Sequence, residues 1–360
     1  MRKAVFIYSE ELEEYQYPPE HPFNTIRAKN VRETAASMGL LSGDGRSEAA
    51  PRPAERVVLK KFHSARYLHA LKEASKGKFN TEALSMGIGT PDCPVFKGLY
   101  DGAVLACGGT LAAAQMLISG SADVAFNPSG GFHHAGPERA SGFCYINDVT
   151  LACMILAEAG KRVLYLDLDV HHGDGVAYAF YDRADVMTIS LHEDPRMLFP
   201  GTGFADEIGT GEGKGYCVNV PLPVGTYDDV YMKVFKTIAL PLMEAYNHDV
   251  IVFELGADAL AGDPLAHLRL TNNVYADIIV HLLSFGKPIL ATGGGGYNVD
   301  NTVRAWALAW SVLCGGESVR QEGLRDDILF VSNQQRYTVT QQIEAAIGAV
   351  KANVFSFHGL

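Results

Sequence analysis

Residues 167–174 read Asp-Leu-Asp-Val-His-His-Gly-Asp and follow directly on the apolar run Arg-Val-Leu-Tyr-Leu. An apolar, β-branched segment of that length reads as an interior strand of a parallel sheet, covered on both faces. Three carboxylates and two imidazoles therefore stand at the end of a buried strand. Each uncompensated charge there would cost roughly several kcal/mol of desolvation. A bound cation turns that penalty into a binding site, so the octet predicts a metal.

The chain has 360 residues, 48% hydrophobic and 20% charged, and no Pro/Ser-rich linker or repeat divides it. Residues 1–360 are therefore expected to form a single domain of ordinary globular composition. The acidic stretch 10–14 reads as a solvated loop. A formal net charge of −11 without a basic stripe argues against nucleic acid as a direct partner. It is compatible with cationic substrates such as Lys-rich segments or polyamines, and equally with solubility alone. The six cysteines form no CxxC pair and read as reduced, mostly buried thiols. The N-terminal apolar run is too short for a signal peptide, and residues 102–120 read as a buried helix, not a membrane span. The expectation is a soluble cytoplasmic protein.

Short apolar runs at 4–8, 123–126, 163–170, 186–191, 249–255 and 288–292 predict strands. Helical patterns fill the gaps at 26–38, 65–74, 98–118, 149–159, 227–246, 274–283 and 302–313. Such alternation predicts a mainly parallel sheet with helices on both faces. Five of these strands run into polar or glycine-rich loops, at 127–134, 171–174, 192–203, 256–264 and 293–298. Ligands of open α/β sheets bind beyond the carboxyl ends of strands, so the five loops could converge on one site.

Asp167, Asp169 and His171 lie two residues apart, which places them on one face of an extended chain, with His172 turned away. Their oxygens and nitrogen suit Zn²⁺, with Fe²⁺ or Co²⁺ also fitting; a hydrogen-bonded structural cluster is the plainer alternative. Asp258, at the end of another strand, would complete three ligands and leave a position open, as catalytic zinc requires. Alone it reads as well as a helix N-cap, and Asp263 as a turn residue. His133 and His134 read as ligands, as bases, or as buried histidines with structural hydrogen bonds; Asp167 and Asp174 are available to orient them. The run Gly293–Gly296 permits close backbone approach, but no Walker lysine or GxGxxG accompanies it. Tyr297 at its end can present a hydroxyl to a carbonyl oxygen. Phe143 and Phe199 could wall a slot for an unbranched chain, or simply pack.

Taken together, these loops resemble the zinc-dependent histone deacetylase family, and most closely its bacterial acetoin utilization branch. The matching strings are His21-Pro-Phe-Asn24, Asp92-Cys-Pro-Val-Phe96, Gly131-Phe-His-His-Ala135, Ser141-Gly-Phe-Cys144, Asp167–Asp174, Ile189-Ser-Leu-His192, Phe199-Pro-Gly-Thr-Gly203, Gly256-Ala-Asp258 and Gly293–Asn298. They run in family order from residue 21 to about 315, leaving 316–360 as a tail expected to pack on the domain. The resemblance implies an arginase/deacetylase-like three-layer α/β/α fold with the site at the C-terminal strand ends. It implies Asp169, His171 and Asp258 as zinc ligands, and His133 and His134 as tandem catalytic histidines paired with Asp167 and Asp174. Tyr297 would polarise the scissile carbonyl. Gly142, Phe143 and Phe199 would line a substrate tunnel, Asp92 its rim, and Arg27 an inner acetate channel. It also implies a structural K⁺ held by backbone oxygens of Asp167, Asp169, His171 and Leu191 with the Ser190 hydroxyl.

The activity so implied is hydrolysis of N-ε-acetyl-lysine, with an acetylated protein as partner; the bacterial branch points to a metabolic enzyme such as acetyl-CoA synthetase. Acetylpolyamine hydrolysis is the enzymatic rival and an acyl-lysine binding module the non-enzymatic one. A pure binder has no need for Tyr297 and two histidine–aspartate pairs.

Overall fold

The apolar runs form the interior of one wholly parallel eight-stranded sheet in the computed structural model, which describes residues 2–43, 45–316 and 321–360. Its strands are β1 (Ala4–Ile7), β2 (Arg46–Ala49), β3 (Val124–Asn127), β4 (Val163–Asp167), β5 (Val186–Glu193), β6 (Cys217–Leu222), β7 (Val250–Glu254) and β8 (Ile289–Thr292). Across the sheet they run β2-β1-β3-β8-β7-β4-β5-β6. The helices Ile26–Ser37, Asn272–Ser284, Val299–Leu313 and Asn333–Val354 pack their apolar sides into one core layer. The helices Ala65–Ala74, Leu99–Ser119 and Asp148–Glu158 pack into the other. The architecture is the expected three-layer α/β/α with a parallel sheet.

Six strands fall on predicted apolar runs. The two unforeseen strands are the edges. β2 reads Arg-Ser-Glu-Ala, has no apolar period, and exists because β1 offers it a parallel ladder. β6 carries Pro221, which an edge strand tolerates because no ladder donor is lost on its open side. β4 ends at Asp167, three residues before the expected end at Val170. Beyond it side-chain carboxylates take over from ladder carbonyls: the Asp169 N–H donates to Asp167 Oδ1 (3.0 Å) and the Val170 N–H to Asp258 Oδ1 (2.9 Å).

Other elements depart from expectation for identifiable reasons. Residues Glu10–Glu14, read as a solvated loop, form a 3₁₀ turn capped by Ser9, with Leu12 buried against Leu105 and Ala106. The predicted helix at 227–246 is divided by a π turn at Phe235–Ala239. Pro241 lies just beyond and cannot donate to an α-helical carbonyl, so the wider turn accommodates it. Helix Leu99–Ser119 is long and apolar enough to cross a membrane, but it packs against β3 and the Asp148–Glu158 helix and is largely buried.

His63 ties two parts of this frame together. Its Nε2 accepts the Asn147 N–H (3.0 Å) at the start of the Asp148–Glu158 helix, and its ring stacks on Tyr67. Burial pushes its pKa from 6.5 down to about 4. The unfolded chain therefore binds more protons than the folded one between those values, and stability falls as pH drops through that window. The full contribution is about 3 kcal/mol. In urea titrations, the stability gap between wild type and His63→Gln should narrow on going from pH 7.5 to 4.5; an unchanged gap would mean that the imidazole is not held neutral.

Candidate metal centre and active site

The five strands with polar or glycine-rich loops, β3, β8, β7, β4 and β5, are consecutive in the sheet. Their carboxyl ends therefore bring the five loops side by side. Parallel pairing sets Asp167 opposite Glu254 on one side and Ser190 on the other.

Three of the acidic and imidazole groups face one point. His171 Nδ1 lies 3.0 Å from Asp169 Oδ1 and 3.0 Å from Asp258 Oδ2, and all three side chains are buried. Asp258 Oδ2 is fully enclosed yet accepts no hydrogen bond. Burial, then the charge of Asp169, push the Asp258 carboxyl up to about 7. Burial opposes ionisation of Asp169, but His133 and His171 outweigh it and hold that carboxyl below its usual range. For His171 burial is likewise outweighed, by the two carboxylates, which raise it to about 10. A point that draws a proton so strongly also draws a metal cation. Two carboxylate oxygens and one imidazole nitrogen are a fitting donor set for a divalent ion, and the trio can hold one.

The glycine loops let backbone reach these carboxylates. The Gly295 N–H donates to Asp169 Oδ2 at 2.6 Å, and a Cβ at Gly295 would fall 1.9 Å from Asp258 Oδ2. Any side chain there would displace a candidate ligand.

Beside the trio stand the tandem histidines. His133 Nδ1 meets Asp167 Oδ2 at 2.9 Å, and His134 Nδ1 meets Asp174 Oδ1 at 2.7 Å. Their Nε2 atoms are 2.9 Å apart. His133 Nδ1 also lies 3.1 Å from Glu254 Oε1, a buried carboxylate that sequence reasoning passed over as part of a core strand. The available signal was a lone charged residue closing the apolar run Val-Ile-Val-Phe of β7. The Tyr165 hydroxyl, also unforeseen, is shared between Asp167 Oδ2 (2.6 Å) and Glu254 Oε2 (2.9 Å). Burial would lower the His133 pKa, but Glu254, Asp167 and Asp169 outweigh it and raise it well above 6.5. Burial and the neighbouring His133 charge push His134 down to about 4. The loop bearing both is held by its backbone. Asn147 Nδ2 donates to the carbonyls of His133 and Ala135, and the Asp148 carboxylate accepts the Gly131 and Phe132 N–H groups.

The remaining expected residues surround this centre. The Tyr297 N–H donates to Asp263 Oδ2 at 2.7 Å, so Asp263, read as a turn residue, also anchors that tyrosine. The Tyr297 and His171 rings lie 6.5 Å apart; burial and then Asp258 and Asp169 push the phenol well above its ordinary value, leaving its proton available to donate. Phe199 sits edge-on to His134 with centroids 5.0 Å apart, and Phe143 edge-on to Tyr297 at 5.6 Å. Gly142, immediately before Phe143 and in the left-handed region (φ 52°), would clash with His134 Cδ2 at 2.4 Å if it carried a Cβ. Arg27 is buried beneath the glycine loop, donating to the carbonyls of Gly294 (3.1 Å) and Gly296 (2.8 Å) between the Phe23 and Trp306 rings. Asp92 is exposed on an outer loop, its carbonyl facing His21 Nε2. Ser190 and Leu191 are buried on β5, with Ser190 Oγ 2.8 Å from His192 Nδ1.

A parallel-sheet fold with a buried Asp/His trio at its strand ends, flanked by histidine–aspartate pairs, defines a class of metal-dependent hydrolases. Residues 21–313 match the family described as "Histone deacetylase domain", and the chain belongs to the histone deacetylase family. The "Acetoin utilization protein AcuC" of Bacillus subtilis is 42% identical over 323 residues, covering 88% of this chain and 83% of that protein. "Histone deacetylase 3" of Oryza sativa subsp. japonica is 41% identical over 88% of this chain and 62% of its own length. A crystal structure of an HDAC homolog from Aquifex aeolicus superposes with a TM-score of 0.85 at 32% identity, covering 96% of this chain and all of that one.

Gly142→Ala should leave the fold intact by circular dichroism while displacing His134, lowering deacetylase turnover by about 100-fold. Wild-type turnover in that variant would show that the His134 ring has room to spare.

Proposed function

We propose that the protein is a zinc-dependent deacylase that hydrolyses N-ε-acetyl-lysine in an acetylated protein to lysine and acetate, with residues 1–360 acting as one unit. The observation that carries this reading is the convergence of Asp169, His171 and Asp258 on one point beside two histidine–aspartate pairs. That trio would hold the zinc, and Fe²⁺ or Co²⁺ fit the same donors. The ion supplies Lewis acidity, lowering the pKa of water and stabilising negative charge on oxygen.

The protein's own groups do the rest. The acyl-lysine stem passes between Phe143 and Phe199, the Gly142 carbonyl accepts its amide N–H, and Asp92 at the rim accepts from the peptide backbone. His134, oriented by Asp174, accepts a proton from the attacking water and returns it to the leaving lysine amine. His133, flanked by Asp167 and Glu254, stays charged and acts electrostatically. The Tyr297 hydroxyl donates to the acyl oxygen as negative charge develops there. Arg27 lines, with Tyr17 and Phe23, an inner apolar cavity suited to the departing acetate. A K⁺ ion bound by the backbone oxygens of Asp167, Asp169, His171 and Leu191 and the Ser190 hydroxyl would stiffen the β4 and β5 ends.

Tyr297→Phe should lower kcat on an acetyl-lysine peptide by at least about 100-fold while metal content is unchanged. Wild-type turnover would remove Tyr297 from the chemistry. Asp258→Asn should lose its zinc on dialysis, read by elemental analysis against the wild type; full occupancy in that variant would rule out the assigned ligand set. Wild type should hydrolyse a fluorogenic acetyl-lysine substrate, stop on treatment with chelator and recover on adding Zn²⁺, with acetylspermidine turned over more slowly. Undiminished activity after complete metal removal would overturn the reading.

A further inference from the structure

A cleft of about 370 Å³ opens beside Phe199; it shares His134, Asp174 and Phe199 with the mechanism above, which gives its outer part no role. His134 and Asp174 line its inner end, Phe199 and Ser141 the side it shares with the slot, and Phe62 and Tyr178 its apolar flanks. Arg139 also lines it, exposed, and no hydrogen bond or ion pair joins its guanidinium to another described residue. Two carboxylates at or beside the cleft already accept hydrogen bonds. Asp174 Oδ1 serves His134 and the Gly175 N–H, and Glu207 serves the Tyr178 hydroxyl and the Gly203 N–H.

An extended peptide advances roughly 3.3 Å per residue, so residues one or two positions from an acyl-lysine at the slot would lie over this cleft. A side chain entering it meets aromatic walls and a guanidinium without an ion-pair partner among the described residues, whose planar fork matches a carboxylate. The molecule as a whole carries a net charge of −11 and repels acidic peptides, so a preference for one has to come from a local cation such as Arg139.

We propose that this cleft is a specificity subsite for an Asp or Glu side chain flanking the acyl-lysine, with Arg139 its recognition residue. The inference rests on the deacylase reading and names the substrate class for it. Exposed Arg–carboxylate pairs are worth up to about 1 kcal/mol, equivalent to roughly fivefold.

The test compares kcat/KM of the zinc-loaded full chain on acetyl-lysine peptides that differ only in carrying Glu or Gln one or two residues from the acetyl-lysine, on either side. For wild type the Glu/Gln ratio should reach about three to five in at least one position. It should fall to about one in Arg139→Gln and below one in Arg139→Glu. Because each ratio is taken within one enzyme, general losses of activity cancel. A wild-type ratio near one at every position overturns the inference and leaves the deacylase reading standing. So does a preference for Glu that survives Arg139→Glu. Failure of wild type on all peptides and on a minimal acetyl-lysine substrate would instead remove the deacylase reading, and this inference with it.

Discussion

The structure depends on a concentration of buried carboxyl groups that its own cations do not balance. Asp167, Asp169, Glu254 and Asp258 are all buried at the carboxyl ends of neighbouring strands. The cation buried with them, Arg27, spends its donors on the carbonyls of Asn24, Gly294 and Gly296. Its guanidinium therefore shapes the glycine loop and pairs with no carboxylate among the described residues. What compensation exists comes from His133 and His171, and a proton on an imidazole is a weak substitute for a divalent ion. The fold answers the same demand. A parallel sheet gathers five strand ends on one edge, and the glycines let backbone N–H groups approach the carboxylates where no side chain would fit.

Much of this was legible in the sequence because the demand is written locally. The octet 167–174 places charges after an apolar strand, and no ordinary core tolerates that. The interior strands were legible because a strand buried on both faces is a continuous apolar run. The edges were not, since β2 is polar and β6 contains a proline; their ladders come from neighbours distant in sequence. The helix Asn333–Val354 did carry a signal, with Val339, Ile343, Ile347, Val350 and Val354 on one helical face. Glu254 was invisible for another reason. Its meaning depends on the pairing of β7 with β4, which sets it opposite Asp167, and no local pattern reports which strands are neighbours.

That same pairing makes the two histidines unequal. Each meets an aspartate through Nδ1, so from sequence they are interchangeable. His133 lies deeper and faces a second carboxylate, whereas His134 faces one and packs against Phe199 and Gly142 at the slot. Two copies of one motif thus acquire different electrostatics from the sheet register alone. The division of labour proposed for them is a consequence of strand order before it is a matter of residue type.

Strain is concentrated beside Tyr297 as well. Gly142 and Phe143 are both left-handed, and Phe143, at φ 68°, is one of two described non-glycine residues there. Such a conformation costs a side-chain-bearing residue roughly 1–2 kcal/mol and persists only where surroundings enforce it. Here the Tyr17 hydroxyl donates to the Phe143 carbonyl at 2.6 Å and the His21 ring packs edge-on against the phenyl. Relaxing the backbone would swing that ring away from Tyr297 and lose both contacts. The aromatic wall is therefore held from behind by the segment around Tyr17 and His21, far from the strand ends in sequence. The placement of Phe143 is as much a product of that N-terminal segment as of the sheet beneath it.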